Sequence, residues 1–299
     1  MLSLVLASVS LMPALLQAGE PVRVIVGIDP QLYFVKQLGG DLVTVTSLLP
    51  SGSFHGVYEP NAAQMKKLSE AQMFVRSRVE YEEAWWSKIQ AANQEMLVVD
   101  ATQGIEFLKG HHHHDGEDHD GEAEREEGGK DPHVWLSPRL VKTQIENIYQ
   151  GLITVDPENE AAYASNKHGL LKAVDELDRK IRAQLADLDT RAFMVFHPAW
   201  AYFAAEYNLK QIAIEVEGKE PSAAELADFI KIAQEEQVKV IFVQPQTSSR
   251  TANIIAKQVG AKVELLDPMS ADWLKNLRRT AEALSSALGQ PNKKEQKTE

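Results

Sequence analysis

Short apolar runs alternate with stretches of helical periodicity along most of the chain, and the alternation falls into two similar blocks. In the first, residues 23–28, 43–49, 73–76 and 97–99 are apolar runs of strand length, with helical patterns over 31–38 and 61–69. In the second, strands are predicted over 193–196, 211–214, 239–243 and 262–266, separated by helices over 199–207, 222–236 and 251–259. Strand and helix in alternation mark an α/β layered fold with a mostly parallel sheet. The pattern predicts two (β/α) lobes.

The segment that joins them is one long periodic stretch. After Pro157 it holds no proline and a single glycine, Gly169, while Leu170, Val174, Leu177, Ile181, Leu185 and Leu188 recur at steps of three and four. That spacing predicts one amphipathic helix over 157–188, opened by Asp156 at the N-cap and Pro157 in the first turn. At about 1.5 Å per residue it would run to roughly 45–50 Å. A rigid helix of that length limits hinge closure between lobes; two helices broken at Gly169 are the alternative. By helical phase His168 faces solvent. The expected layout is a signal peptide over 1–18, an N-terminal lobe over 19–156, the linking helix, a C-terminal lobe over 189–290 and a charged tail over 291–299.

The first 18 residues are uncharged and mostly apolar, followed by Gly19-Glu20-Pro21, and read as a secretory signal cleaved near Ala18. A membrane anchor is the competing reading, although Pro13 and the short length suit a spanning helix poorly. No cysteine stands near the cut, so the exported form is expected without a lipid anchor, and the periplasm is the expected compartment. The chain has no cysteine at all, which removes disulfides, thiolate metal sites and cysteine nucleophiles. At 299 residues it is long enough for two lobes of about 100–150 residues each. A formal charge of -12 disfavours nucleic acid and anionic membrane surfaces as partners and is compatible with a cationic ligand.

Charge changes the picture most between Lys109 and Lys130. Five histidines (His111, His112, His113, His114 and His119) are interleaved there with eight carboxylates and no apolar periodicity. The composition predicts a disordered loop over 110–130 that binds transition metal weakly at several points; an acidic solvated loop is the plainer alternative. Four further candidate ligands, His55, His133, His197 and Asp267, stand 78, 64 and 70 residues apart. Three of the four follow an apolar run. In open α/β sheets ligands collect beyond the carboxyl ends of strands, so distant residues so placed can converge, although spacing alone does not decide it. A lone His or Asp in a loop is more often solvated or a cap. Three imidazoles with a carboxylate suit a borderline divalent ion such as zinc better than calcium or magnesium.

The motifs around these residues are Pro50-Ser-Gly-Ser-Phe-His55 with Tyr58-Glu-Pro60, Asp131-Pro-His133-Val-Trp-Leu-Ser-Pro138, Val195-Phe-His197-Pro-Ala-Trp-Ala-Tyr-Phe203 and Leu265-Leu-Asp267-Pro268. In this order, with the His-rich loop and the long helix, the chain resembles the zinc- and manganese-binding solute-binding proteins of ATP-driven (ABC) metal importers, the zinc-uptake type above all. The resemblance covers nearly the whole chain after residue 18. It implies two β/α lobes on one backbone helix, with His55 and His133 meeting His197 and Asp267 in the cleft between lobes. It implies no catalysis: a monomer captures Zn2+ and delivers it to an inner-membrane permease. A histidine at the third position favours zinc over Mn2+, which relatives with a carboxylate there take. The chain departs from its relatives after His55, where Gly56-Val57-Tyr58-Glu59 replaces a short acidic residue. Glu59 is therefore either a ligand or a cap, and Asp267 before Pro268 is either a ligand or an N-cap.

Other readings are a metal buffer built on the His-rich loop, a manganese-importing relative and a zinc hydrolase. For the hydrolase Glu59, Glu215 and Glu217 are the available bases, but HExxH, GxSxG and phosphate-cradling glycine loops are all absent. Trp135, Phe196, Trp200, Tyr202 and Phe203 are expected as lobe core or cleft wall, lowering the dielectric around a metal.

Overall fold

The computed structural model describes residues 19–110, 129–215, 220–246 and 248–289. The signal segment, the five loop histidines, Glu217 and the tail lie outside the described residues. The N-terminal lobe carries strands β1 (Val22–Val26), β2 (Val43–Ser47), β3 (Met73–Arg76) and β4 (Leu97–Asp100), with helices α1 (Pro30–Gly39), α2 (Ala62–Ser69) and α3 (Glu80–Ala92) between them. Helices α4 (Pro138–Val155) and α5 (Glu160–Gln184) follow. The C-terminal lobe repeats the scheme with β5 (Ala192–Val195), α6 (Ala201–Glu206), β6 (Lys210–Ala213), α7 (Ala223–Glu235), β7 (Val240–Val243), α8 (Arg250–Val259), β8 (Lys262–Leu265) and α9 (Trp273–Leu288).

Both sheets are parallel, and their strand orders match: β2-β1-β3-β4 and β6-β5-β7-β8. Parallel strands need crossover helices, and helices on both faces bury them; hence all four residues of β3, β5 and β7 are buried. The two lobes thus repeat one topology, and the loops that follow β2 and β5 carry His55 and His197.

The predicted strands and helices appear within about two residues of their expected bounds. The linking element is shorter than expected. Residues 157–159 form a 3-10 turn instead of the first α turn, and α5 then runs 25 residues without a break at Gly169, about 37 Å. Gly169 lies on its solvent side, where a missing side chain removes no packing. Its apolar stripe of Tyr163, Leu170, Val174, Leu177 and Ile181 is buried against α4, α1 and α9. His168 is exposed, as its phase requires. Helices α3, α4 and α9 had no counterpart in the pattern reading. In α9 the buried set Trp273, Leu277, Thr280, Ala281, Leu284 and Leu288 is helically spaced, but its threonine and alanine dilute the apolar signal.

One apolar core runs from β1 and β3 through α5 into Phe193, Trp200 and Phe203 of the second lobe. A second core, on the other face of the C-terminal sheet, gathers Met194, Ile212, Ile241 and Ile255. Because the larger core is continuous, the lobes are packed on one another and not merely tethered.

Candidate metal centre

His55 stands in the loop after β2. The backbone N–H of Tyr81, in the first turn of α3, donates to the His55 carbonyl at 3.2 Å and fixes the loop against the sheet end. His133 opens a 3-10 turn, Val134–Leu136, which leads into α4. Ser137 caps that helix by accepting from Leu140 N–H at 3.2 Å. His197 lies two residues beyond β5, and its carbonyl accepts from Ala199 N–H at 2.8 Å as the chain turns into α6. Each histidine is thus set by a tight turn at the end of a regular element, two from one lobe and one from the other.

All three imidazoles are buried, and one nitrogen from each falls within 4.8 Å of the others. Their Nδ1 atoms face carboxylates: Glu80 Oε2 at 2.7 Å from His55, Asp131 Oδ1 at 2.7 Å from His133, and both oxygens of Glu215 at 3.1 and 3.2 Å from His197. A carboxylate only accepts, so each Nδ1 carries the proton and each Nε2 of the neutral ring presents a lone pair. His55 Nε2 and His133 Nε2 face each other at 3.2 Å, and His197 Nε2 is buried without a hydrogen-bond partner. Three lone pairs aimed at one point repel one another unless a cation lies between them. The 3.2 Å separation fits two Zn–N bonds of about 2.0–2.1 Å that subtend roughly 100°, close to tetrahedral.

The electrostatics agree with this arrangement. Burial lowers the pKa of His55, opposed by the hydrogen bond that its Nδ1–H donates to Glu80, which favours the charged ring. Burial works to raise Glu80, but its hydrogen bond to His55 and the charge of that ring prevail and lower it to about 2. Near neutral pH the His55–Glu80 pair therefore keeps neutral imidazole beside ionised carboxylate.

Asp267 is not brought into the group. Its Oδ1 accepts from Met269 N–H at 3.0 Å and from Gln246 Nε2 at 3.3 Å, the first an Asx-type cap of its own turn. Glu59 is exposed. Of the expected cleft-wall aromatics, Trp135 packs on the triad, 5.1 Å from the His133 ring and 6.4 Å from that of His55. Tyr202 reaches the site indirectly, donating to the carbonyl of Asp131 at 2.7 Å. The orienting carboxylates had no role assigned from the sequence apart from Glu215 as a possible base. Asp131 carried a signal in its position two residues before His133, where Oδ1 also accepts the His133 N–H at 2.9 Å. Glu80 and Glu215 stand 25 and 18 residues from their histidines, with no local motif to reveal them.

The family described as "ZnuA: Zinc-uptake complex component A periplasmic" matches residues 24–287. The chain is 32% identical over 261 residues to the high-affinity zinc uptake system protein ZnuA of Bacillus subtilis, covering 84% of this chain and 79% of that one. A crystal structure of ZnuA superposes with a TM-score of 0.83 at 41% identity, over 90% of this chain and 100% of that one. A zinc-bound ZnuA lacking its residues 138–173 gives the same TM-score at 40% identity, over 91% and 100%. The family match, the sequence identity and the superposition each span most of the chain, and the chain belongs to the ZnuA family of zinc-binding solute-binding proteins of ABC-type zinc uptake.

Proposed function

We propose that His55, His133 and His197 take up a single zinc ion through their Nε2 atoms in the extracytoplasmic space, and that the protein surrenders it to the permease of an ABC importer. The observation that carries this reading is the set of three buried Nε2 atoms, each freed for a metal by a carboxylate on its Nδ1. Family members are transport components and not enzymes. Three neutral donors leave one position of a tetrahedral shell. We assign it to Asp267, whose two hydrogen bonds both use Oδ1, or to water, and we give Glu59 a place on the rim. Manganese, an ion of six oxygen-rich ligands, suits this nitrogen set less well.

The finer assignments rest on the sequence: a periplasmic monomer released by signal cleavage without a lipid anchor, with His111, His112, His113, His114 and His119 as weak auxiliary ligands. Docking on the permease is the step that would displace one lobe and disturb a shell shared between lobes.

Isothermal titration of the metal-stripped protein with Zn2+ and Mn2+, beside a His55/His133/His197→Ala triple variant, tests the reading. One tight zinc site should vanish in the variant while weak sites persist. Tight binding that survives would move the function to the His-rich loop and make the protein a buffer.

A further inference from the structure

Imidazole nitrogen alone does not select zinc. Nitrogen-rich sites hold several divalent metals, so selection falls on geometry and on how many ligands the protein lets the ion gather. Zinc is satisfied by four ligands, whereas manganese takes an octahedral shell rich in oxygen, water included. The decisive feature is whatever stands between the triad and solvent.

Two aromatic rings flank the histidines, and they differ in exposure. Trp135 is the floor: fully buried, with its indole N–H donating to the Pro268 carbonyl at 2.7 Å. Phe54 is half-buried and touches one histidine of each lobe. Its ring lies 5.1 Å from that of His55, tilted by 35°, and 5.3 Å from that of His197 in an edge-on arrangement. The loop is shaped for this ring. A Cβ at Gly56 would come within 2.6 Å of Phe54 Cε1, so the bare glycine lets the phenyl group fold back over the backbone. Both flanks are tethered: Ser53 N–H donates to the Pro50 carbonyl at 3.0 Å, and the Tyr58 hydroxyl donates to Gln64 Oε1 at 2.7 Å. Just beyond, Val57 is 83% exposed, whereas the Phe54 ring packs on His55 and His197.

The geometry points to Phe54 as a specificity-determining residue of the site. Its ring closes the solvent side of the triad, holds the ion to three imidazoles and one further ligand, and so favours zinc over manganese and slows zinc escape. The inference rests on the triad being the zinc site, as proposed above. Because Phe54 directly precedes His55, cover and ligand move together, and opening the loop would expose the ion and loosen a ligand in one motion.

Co2+ serves as the probe, since four-coordinate cobalt absorbs strongly in the visible and six-coordinate cobalt weakly. The metal-stripped protein is titrated with Co2+ beside Phe54→Ala, Phe54→Gln, Phe54→Leu and His133→Ala, and zinc release to a chelator is timed for each. The unaltered protein should give the strong band. Phe54→Ala should give a weak one, release zinc at least about ten-fold faster, equivalent to ~1.4 kcal/mol, and let Mn2+ compete better. Phe54→Leu should restore most of the band, and Phe54→Gln repeats the alanine test with a side chain that keeps bulk but admits water. Wild-type band intensity and release rate in both the alanine and the glutamine variants would overturn the role of Phe54. An undiminished band in His133→Ala would instead overturn the triad as the metal site, and the inference with it.

Discussion

Glu80 Oε2 lies 2.7 Å from Nδ1 of His55, and the pair straddles the boundary of the metal centre: the imidazole is buried while the carboxylate is half-exposed. The bond fixes the tautomer and raises the basicity of the nitrogen that faces the metal. Since Glu80 is held down to about 2, it is ionised wherever the site works. Glu80→Ala should weaken zinc binding by about 10–100-fold, the usual cost of an outer carboxylate. Glu80→Gln, which keeps an acceptor, should lose less. Asp131→Ala should lose more than Glu80→Ala, because Asp131 also accepts the His133 N–H at 2.9 Å. Competition against a chromophoric chelator measures all three.

Acid should work against the metal and the metal-free fold together. Burial lowers the pKa of His55, so the folded chain keeps this ring neutral where the unfolded chain, titrating near 6.5, is already charged. The unfolded state then binds more protons, and His55 lowers stability below its folded value, a penalty that lifts as pH rises through the unfolded value. Zinc also requires neutral imidazole, so protons compete at all three rings. Zinc affinity should weaken as pH falls through the ordinary imidazole range near 6–6.5, and an affinity independent of pH between about pH 5 and 8 would argue against imidazole ligands. A fall of less than ten-fold per unit would mean that fewer than one proton leaves on binding there. Titrations at a series of pH values decide it.

Much of this was legible in the chain before folding. Strand runs such as Met73–Arg76 are bounded by polar turns, and the recurrence of Leu170, Val174, Leu177 and Ile181 marks α5, which runs unbroken through Gly169 where two helices were the alternative. The histidines were legible because each follows or opens a tight turn marked by proline or glycine. What stayed hidden depends on tertiary contact. Glu80 and Glu215 look like ordinary acids at a helix start and a strand end, and only the folded chain brings them to His55 and His197. Phe54 hides for the same reason: its edge-on contact with His197 spans 143 residues of chain. Asp267 kept both of its readings, because the proline after it marks a capped turn as readily as a ligand, and its Oδ1 accepts the Met269 N–H of that turn.

Glu82 should make the fold respond to base. It is fully buried in the first turn of α3, accepting from Ser77 N–H at 2.9 Å and Arg78 N–H at 2.6 Å, with Arg78 held at a φ of 60°. Burial pushes its pKa up to about 8, against those two donors. The folded value lies above the unfolded one of 4.5, so the native state holds an extra proton between them. Its contribution to stability is full below 4.5 and is lost as pH rises through 8. Denaturant melts from pH 5 to 9 should show this decline, and Glu82→Gln should flatten it. A decline that persists in the glutamine variant would place its cause elsewhere.

Gly27 is the counterpart of that carboxylate. A Cβ there would stand 1.6 Å from Glu82 Oε1, at a position where the Gly27 carbonyl also accepts from the Tyr81 hydroxyl at 2.5 Å. Gly27→Ala must displace the buried acid from its two N–H donors, and a loss of about 2–3 kcal/mol is expected from overpacking together with the broken bonds. Because the turn it disturbs carries Glu80, zinc affinity should fall as well. Thermal melts and chelator competition on the same variant separate the two effects.

The last prediction concerns how the floor of the site is braced. Trp273 Nε1 donates to the Trp135 carbonyl at 2.6 Å, and Trp135 Nε1 donates to the Pro268 carbonyl at 2.7 Å. These bonds join the turn after His133 to α9 and to the turn after Asp267. Trp273→Phe keeps most of the ring that packs on Phe34, 5.1 Å away between centroids, but leaves the Trp135 carbonyl unpaired in a dry core. An unpaired buried acceptor costs about 1–3 kcal/mol, so the metal-free protein should melt lower by that amount. Zinc at 100 times its Kd adds about 2.7 kcal/mol to whatever stability remains. If the brace serves only the fold, the zinc-induced rise at a fixed zinc concentration will match that of the unaltered protein. If it also holds His133 in register, affinity falls and the rise shrinks. The close packing of Trp135 on His133 leads us to expect the smaller rise, and paired melts with and without zinc will measure it.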